Sequence, residues 1–312
     1  MAHSLPPVGL VAPMLPTLVD EPPEGEEWLH EIKFDGYRTV LTISGKDVHA
    51  YTRNGFDWTE KYGPVVASAL ALRCRSAIID GEMCVQDAAG VTDFGALRRA
   101  VKTSPEKLVL FAFDLLVLDG EDLRGKPLRE RRQLLQRLIG DNLVSRIHFS
   151  QEHVGGGSEF FRVAEQHGLE GIVSKRADSL YASGRTEAWL KTKSYTVADY
   201  AVLGVERSLT GLPVALLARL GRSPTYVGDA VVHLKPKERD RFWADVERLG
   251  TPRARLAGTI ERRKAAWIKE GMIARVRHLR GEDKLRHATI QTIGPADELP
   301  GEVDATRHPG DE

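Results

Sequence analysis

A chain of 312 residues, 42% of them apolar, is long enough for about two domains, each with its own core. The 44 basic side chains balance 44 acidic ones, which is unexpected for a nucleic-acid enzyme, since phosphate affinity comes largely from Lys and Arg, although balance over a whole chain hides local asymmetry. Cys74 and Cys84 show neither metal-ligand spacing nor a disulfide framework, and no apolar run suits a secretory leader or a bilayer span, so a cytoplasmic protein with no membrane partner is expected.

In chain order, the apolar-rich segment 28–32 runs up to the turn signal Asp35-Gly36 and predicts a strand with Lys33 projecting from its end. Segments 40–43 and 48–52 flank Ser44-Gly45-Lys46-Asp47 as an antiparallel hairpin. Helical patterns follow at 60–72, 94–101, 127–139 and 159–167, the last with Ser158 as N-cap and Gly168 as stop. Strands are expected at 78–85, broken at Asp80-Gly81, and at 108–113. Lys193-Ser194-Tyr195-Thr196 reads as a hinge, after which new strands start at 199–205 and one helix occupies 236–249. No repeat or low-complexity block is evident. Between Arg253 and Arg286 basic residues far outnumber acidic ones, making this stretch, with Arg262, Arg263, Lys264 and Arg286, a candidate basic patch. Without supporting motifs, such a stretch is more simply a solvated face. Residues 295–312 are acidic, with Gly and Pro, and are expected to be disordered. The whole is an α+β mixture with antiparallel character.

The chemistry concentrates in ordered short motifs. Glu31-Ile32-Lys33-Phe34-Asp35-Gly36-Tyr37-Arg38 carries a lysine that reads as a nucleophile, and such an amine needs cationic neighbours or desolvation to shed its proton. Alone, this pattern is equally a surface lysine beside a turn. Thr52-Arg53-Asn54-Gly55, Asp80-Gly81-Glu82, Phe113-Asp114-Leu115-Leu116, Glu170 to Arg176 and Trp189 to Lys193 then follow in sequence. Lys191 and Lys193 alternate along a strand and so face one side, as two cations on one phosphate require.

In these motifs, and in Leu118-Asp119-Gly120 and Pro127-Leu128-Arg129-Glu130-Arg131-Arg132 between them, the chain resembles the covalent nucleotidyltransferases, in wording the bacterial ATP-dependent DNA ligases of the LigD and LigC type. The likeness is strong over the first two-thirds. It implies an antiparallel-sheet nucleotidyltransferase (adenylation) domain at 1–195, a small OB-fold β-barrel at 196–294 that binds oligonucleotides, and the tail at 295–312. It implies ATP and Mg²⁺ or Mn²⁺ as cofactors, nicked or broken duplex DNA as substrate and a monomer; the LigD likeness implies end joining with Ku and separate repair polymerases as partners, the LigC likeness short-gap repair, and the sequence does not choose between them. Lys33 would form the lysyl-AMP. Glu82 and Glu170, hard oxygen ligands, would hold the metal, with Glu82 also near the ribose.

Arg38 and Arg53 would fork onto ribose or phosphate oxygens, and Lys191 and Lys193 would meet the α-phosphate. Phe113 would stack on adenine opposite Val173 or Ile172, and Glu31 would read the base. Relatives close with an Arg-His-Pro segment leading into a basic run. This chain instead has Leu285-Arg286-His287-Ala288 preceded by Gly281-Glu282-Asp283-Lys284, which puts efficient self-charging in doubt and leaves Lys284 and Arg286 as candidates. The short segment before Lys33 favours ATP over NAD and argues against a large preceding DNA-binding domain. An RNA ligase or capping-type nucleotidyltransferase would use the same lysine chemistry. A catalytically inactive nucleic-acid-binding module would form no adduct.

Overall fold

The computed structural model describes residues 10–140, 145–220, 224–253, 265–279, 284–285 and 287–298. Arg262, Arg263, Lys264 and Arg286 lie outside the described residues. The chain divides into two compact units between Ser194 and Tyr195.

The first unit contains strands β1 (Met14–Leu18), β2 (Trp28–Ile32), β3 (Tyr37–Ser44), β4 (Asp47–Thr52), β5 (Ser76–Cys84), β6 (Val109–Leu118), β7 (Glu121–Asp122), β8 (Ile147–Phe149), β9 (Glu152–Val154), β10 (Gly171–Arg176) and β11 (Gly184–Lys193). Its helices are α1 (Gly63–Ala69), α2 (Phe94–Thr103), α3 (Leu128–Ile139) and α4 (Gly157–Gln166). One sheet has the order β1-β11-β10-β2-β9; the other runs β4-β3-β5-β6-β7, with β8 added on β6. Most pairs are antiparallel, but β1 with β11 and β6 with β8 are parallel.

Alternation along the strands builds two cores. Leu41 and Ile43 of β3 face a cluster shared with α1, α2 and α3, whereas Val40 faces an inner cluster with Met14, Leu29, Ile78, Phe113, Leu116 and Trp189. The inner cluster draws residues from both sheets, so it fills the space between them. Strand β5 is continuous rather than broken at Asp80-Gly81; the irregularity lies in its partner. Gly81 pairs with Ala112 and Asp80 with Asp114, so Phe113 is the extra residue of a bulge. Leu110 and Ala112 face the outer cluster and Phe113 the inner one, and the bulge resets the alternation beyond it, so that Leu115 joins the outer cluster and Leu116 the inner.

Several expected boundaries are corrected. A short 3₁₀ turn, Glu60–Tyr62, precedes α1, so the helix expected at 60–72 is two pieces. The strand expected at 108–113 continues to Leu118. Helix α4 starts before Ser158, and the Glu24 carboxylate caps it by accepting from the Gly157 and Ser158 N–H groups at 3.0 and 2.8 Å. A carboxylate at a helix N-terminus satisfies orphan donors as a hydroxyl would.

The second unit is strands β12 (Tyr195–Arg207), β13 (Pro213–Arg219), β14 (Tyr226–Val231), β15 (Gly250–Thr251), β16 (Ala266–Ile268), β17 (Met272–Leu279) and β18 (Thr289–Pro295), with helix α5 (Pro236–Arg248). Every pair is antiparallel; β12 pairs with β13 along one edge and with β17 and then β16 along the other. Its core gathers Val202, Leu217, Val227, Phe242, Val246 and Ala274, among others. Pro295 ends β18 and residues 296–298 form a turn, and the rest of the segment expected to be disordered lies outside the described residues. Among the described residues no helix is long and apolar enough to cross a membrane.

Candidate active site

Strand β2 ends at Ile32, and Lys33 leaves it with its N–H donating to the Gly171 carbonyl at 2.9 Å. Ile32 pairs with Ile172 and Gly171 with Lys193, so the ends of β2, β10 and β11 meet at one point. The close approach requires glycine: Gly171 has φ +140°, and a Cβ there would lie 2.1 Å from the Thr192 carbonyl oxygen. At this junction Lys33 Nζ donates to Glu170 Oε2 at 2.5 Å. Gly36 is similarly forced, since its Cβ would meet the Met83 carbonyl at 2.3 Å, and this lets β3 run tightly along β5 beneath the lysine.

A cavity of about 200 Å³ opens here, lined by Glu31, Ile32, Lys33, Phe34, Arg38, Arg53, Glu82, Phe113, Val173 and Lys191 together with Lys175, Arg185 and Trp189. All the expected nucleotide contacts except Lys193 line it. Burial depresses the Lys191 pKa, and the charges of Lys193, Lys33, Arg185 and Arg53 add to the effect, so these five cations converge. That convergence suits a polyphosphate. The apolar lining suits a flat base.

Three expected roles are modified by partners that the sequence did not reveal. Arg38 is bidentate on Asp80, with Nε and Nη2 donating at 2.6 and 2.7 Å, and Nη2 also donates to the Met14 carbonyl at 3.0 Å. Its fork is thus engaged within the protein rather than open to a ribose. Asp80 is fully buried and also accepts from Tyr181 Oη at 2.6 Å. Phe113 is only 7% exposed, with the Arg38 guanidinium 4.5 Å and Lys175 Nζ 4.1 Å from its ring centroid. The Glu31 carboxylate is buried against Lys175 Nζ at 2.6 Å and accepts from Ser150 Oγ at 2.7 Å. Burial brings the Lys175 ammonium down to about 8, against the pull of Glu31.

Burial pushes the Glu82 carboxyl up to about 7; the Arg38 and Lys33 charges oppose this, and those of Glu170 and Asp80 add to it. Glu82 and Glu170 therefore sense one another across Lys33. Two mutually repelling carboxylates in a half-buried site are hard donors that a divalent cation would relieve. Among the described residues no group of three or more His, Cys, Asp or Glu gathers as a metal site. A two-carboxylate arrangement fits Mg²⁺, which usually takes one or two carboxylates and completes its shell with water and phosphate oxygens.

Sequence reasoning passed over Asp80, Lys175, Arg185 and Trp189. The alternation that paired Lys191 with Lys193 extends back through Trp189 to Arg185, and Lys175 follows Val173 by the same rule, so parity offered a signal for these. Asp80 offered only its place in a quoted motif. Lys284 stands 5.9 Å over the Tyr226 ring in the second unit.

The family model described as ATP dependent DNA ligase domain matches residues 13–193. The multifunctional non-homologous end joining protein LigD of Pseudomonas aeruginosa is 36% identical over 195 residues, 62% of this chain and 23% of that protein. The SPbeta prophage-derived DNA ligase-like protein LigB of Bacillus subtilis is 32% identical over 197 residues, covering 62% of this chain and 71% of LigB. The solved structure of a mycobacterial DNA ligase D complexed with ATP and MES aligns with 93% of this chain and 98% of that one, at a TM-score of 0.56 and 25% identity.

Proposed function

Since the chain belongs to the ATP-dependent DNA ligase domain family, we propose that it seals 5′-phosphate/3′-hydroxyl nicks in duplex DNA through an AMP carried on Lys33. One observation carries the reading: Lys33, on the wall of a cavity that also gathers Arg53, Arg185, Lys191, Glu82 and apolar side chains, holds its Nζ 2.5 Å from the Glu170 carboxylate.

In the first step Lys33 Nζ attacks the α-phosphorus of ATP; the P–N bond forms, the P–O bond to pyrophosphate breaks, and Glu170 Oε2 is placed to accept the amine's proton. The transferring phosphoryl group asks mainly for positioning and charge neutralisation. Lys191, Lys193, Arg53 and Arg185 supply that charge, Phe113 and Val173 enclose the base, and Glu31, its carboxylate held by Lys175 and Ser150, reads the base edge through its backbone atoms. Next, an oxygen of the 5′-phosphate takes AMP as the P–N bond breaks. Finally the 3′-hydroxyl displaces AMP and the phosphodiester forms. Glu82 and Glu170 would hold Mg²⁺, which when bound supplies Lewis-acid neutralisation of phosphate oxygens.

The unit before Tyr195 is the adenylation domain on this reading, and the second unit, antiparallel and with helix α5 among its described residues, acts as an OB-fold grip on DNA, with Arg262, Arg263, Lys264 and Arg286 contributing. A role in end joining, with Ku and a polymerase as partners, extends what the LigD relatives are named for. A cytoplasmic monomer fits the same reading.

Incubation with labelled nicked duplex, ATP and Mg²⁺ on a denaturing gel tests it. Wild type should seal, and Lys33→Ala should give neither enzyme–AMP nor sealed strand. An adduct retained by Lys33→Ala would remove the lysine from its role, and sealing of nicked RNA alone would replace the substrate.

A further inference from the structure

Helix α3 carries two consecutive arginines, Arg131 and Arg132, at 0% and 1% exposure. Neighbouring helix residues point about 100° apart, so the two guanidiniums reach different targets. Arg131 clasps the Asp114 carboxylate through Nε and Nη2, each at 2.8 Å, and donates from Nη1 to the carbonyls of Lys126 and Ser179 at 2.6 and 2.8 Å. Arg132 instead reaches the frame of the cavity. Its Nη1 donates to the Phe113 carbonyl at 2.9 Å and stands 2.9 Å from Glu31 Oε1. Its Nη2 donates to the Ser150 carbonyl at 2.5 Å and to the Glu152 carboxylate.

These contacts join two sheets. Phe113 belongs to β6, and as the extra residue of the bulge it has no partner in the β5 register. Glu31 belongs to β2 in the other sheet, and Glu152 to β9 beside it. Glu31 and Phe113 both line the cavity, whereas Arg132 is outside its wall. We propose that Arg132 is a positioning residue for the nucleotide: it pins the Phe113 bulge to the Glu31 carboxylate and so fixes the stacking ring against the strand that ends in Lys33. The inference rests on the reading of this cavity as the adenylation site. Removing the guanidinium leaves a buried carboxylate and a bulge carbonyl short of donors, and a small misplacement of base-contacting groups is costly to a reaction that depends on positioning.

The test is the ATP dependence of enzyme–AMP formation by the full chain, as wild type, Arg132→Lys, Arg131→Lys and Glu152→Gln. Arg132→Lys should raise the ATP concentration for half-maximal rate by roughly tenfold or more, the size of one lost charged hydrogen bond, with the maximal rate per active enzyme little changed. Arg131→Lys should lower the melting temperature without moving half-saturation. In a Glu31→Gln background, Arg132→Lys should have a smaller effect, because its partner is already weakened. A variant that merely charges a smaller fraction of molecules at wild-type half-saturation would make Arg132 structural and overturn the proposal. Should Arg132→Lys not fold, Glu152→Gln decides on the same readout, with a smaller rise expected and no rise counting against it. Failure of wild type itself to form the adduct would overturn the adenylation reading, and the proposal with it.

Discussion

Glu82 and Asp80 flank Gly81, share a strand face, and differ in their partners. Asp80 is fully buried but held by both arms of Arg38 and by Tyr181 Oη. Asp80→Ala would leave a largely buried guanidinium without its counter-ion, a loss of about 3–5 kcal/mol, visible as a lower melting temperature. Glu82 lacks such a clasp, and burial holds its carboxyl up near 7 against an ordinary 4.5. The folded chain therefore binds a proton between those values that the unfolded chain has released, so this contribution is full below pH 4.5 and is lost as pH rises through about 7. In metal-free buffer, Glu82→Gln should be relatively more stable than wild type at pH 8 than at pH 4.5, by on the order of 2 kcal/mol. Urea unfolding at the two pH values checks this, and an unchanged difference would show that Glu82 is ionised in the fold.

Elements, more than residues, explain what the sequence could and could not disclose. Lys33, Glu82 and Lys191, which line the cavity, and Glu170, which Lys33 meets, were singled out through motifs that carry a family resemblance, and a motif is a spacing written along the chain. The β3–β4 hairpin was legible from Gly45, and α3 from its apolar period after Pro127. Phe113 was found, but the bulge it sits in was not, because a bulge is a property of two paired strands and the pattern placed the break in β5 instead of β6. Arg132 and Asp80 act through partners far along the chain, so no local window contains their roles. Ser158 resembled a cap because its type fits, while the carboxylate that caps α4 comes from Glu24. Gly171 tests the element scale directly: Gly171→Ala forces a side chain into φ +140° and onto the Thr192 carbonyl, costing at least about 2 kcal/mol. Because Glu170 is its neighbour, enzyme–AMP formation should slow as well. A variant with wild-type melting and charging would mean that β10 and β11 can part at no cost.

At the scale of the molecule, each unit keeps its own apolar interior. Phe242→Ala in the second unit should cost that unit about 3–5 kcal/mol, and calorimetry should show one transition falling while the other stays. A single transition shifting as a whole would mean that the units unfold together. Within the first unit the decisive pairings are distant in sequence. The β1 strand lies parallel to β11, with Met14 N–H donating to Tyr181 Oη across 167 residues, and Lys33 meets Glu170 across 137. Loops of that length close late, and long-range pairings set slow folding. During synthesis, β2 therefore emerges long before the strands that flank it, and the nascent chain carries its lysine on an incomplete sheet until Lys193 has left the ribosome. The same connectivity that brings distant motifs to one point makes the meeting of β2, β10 and β11 a late step in the assembly of the unit.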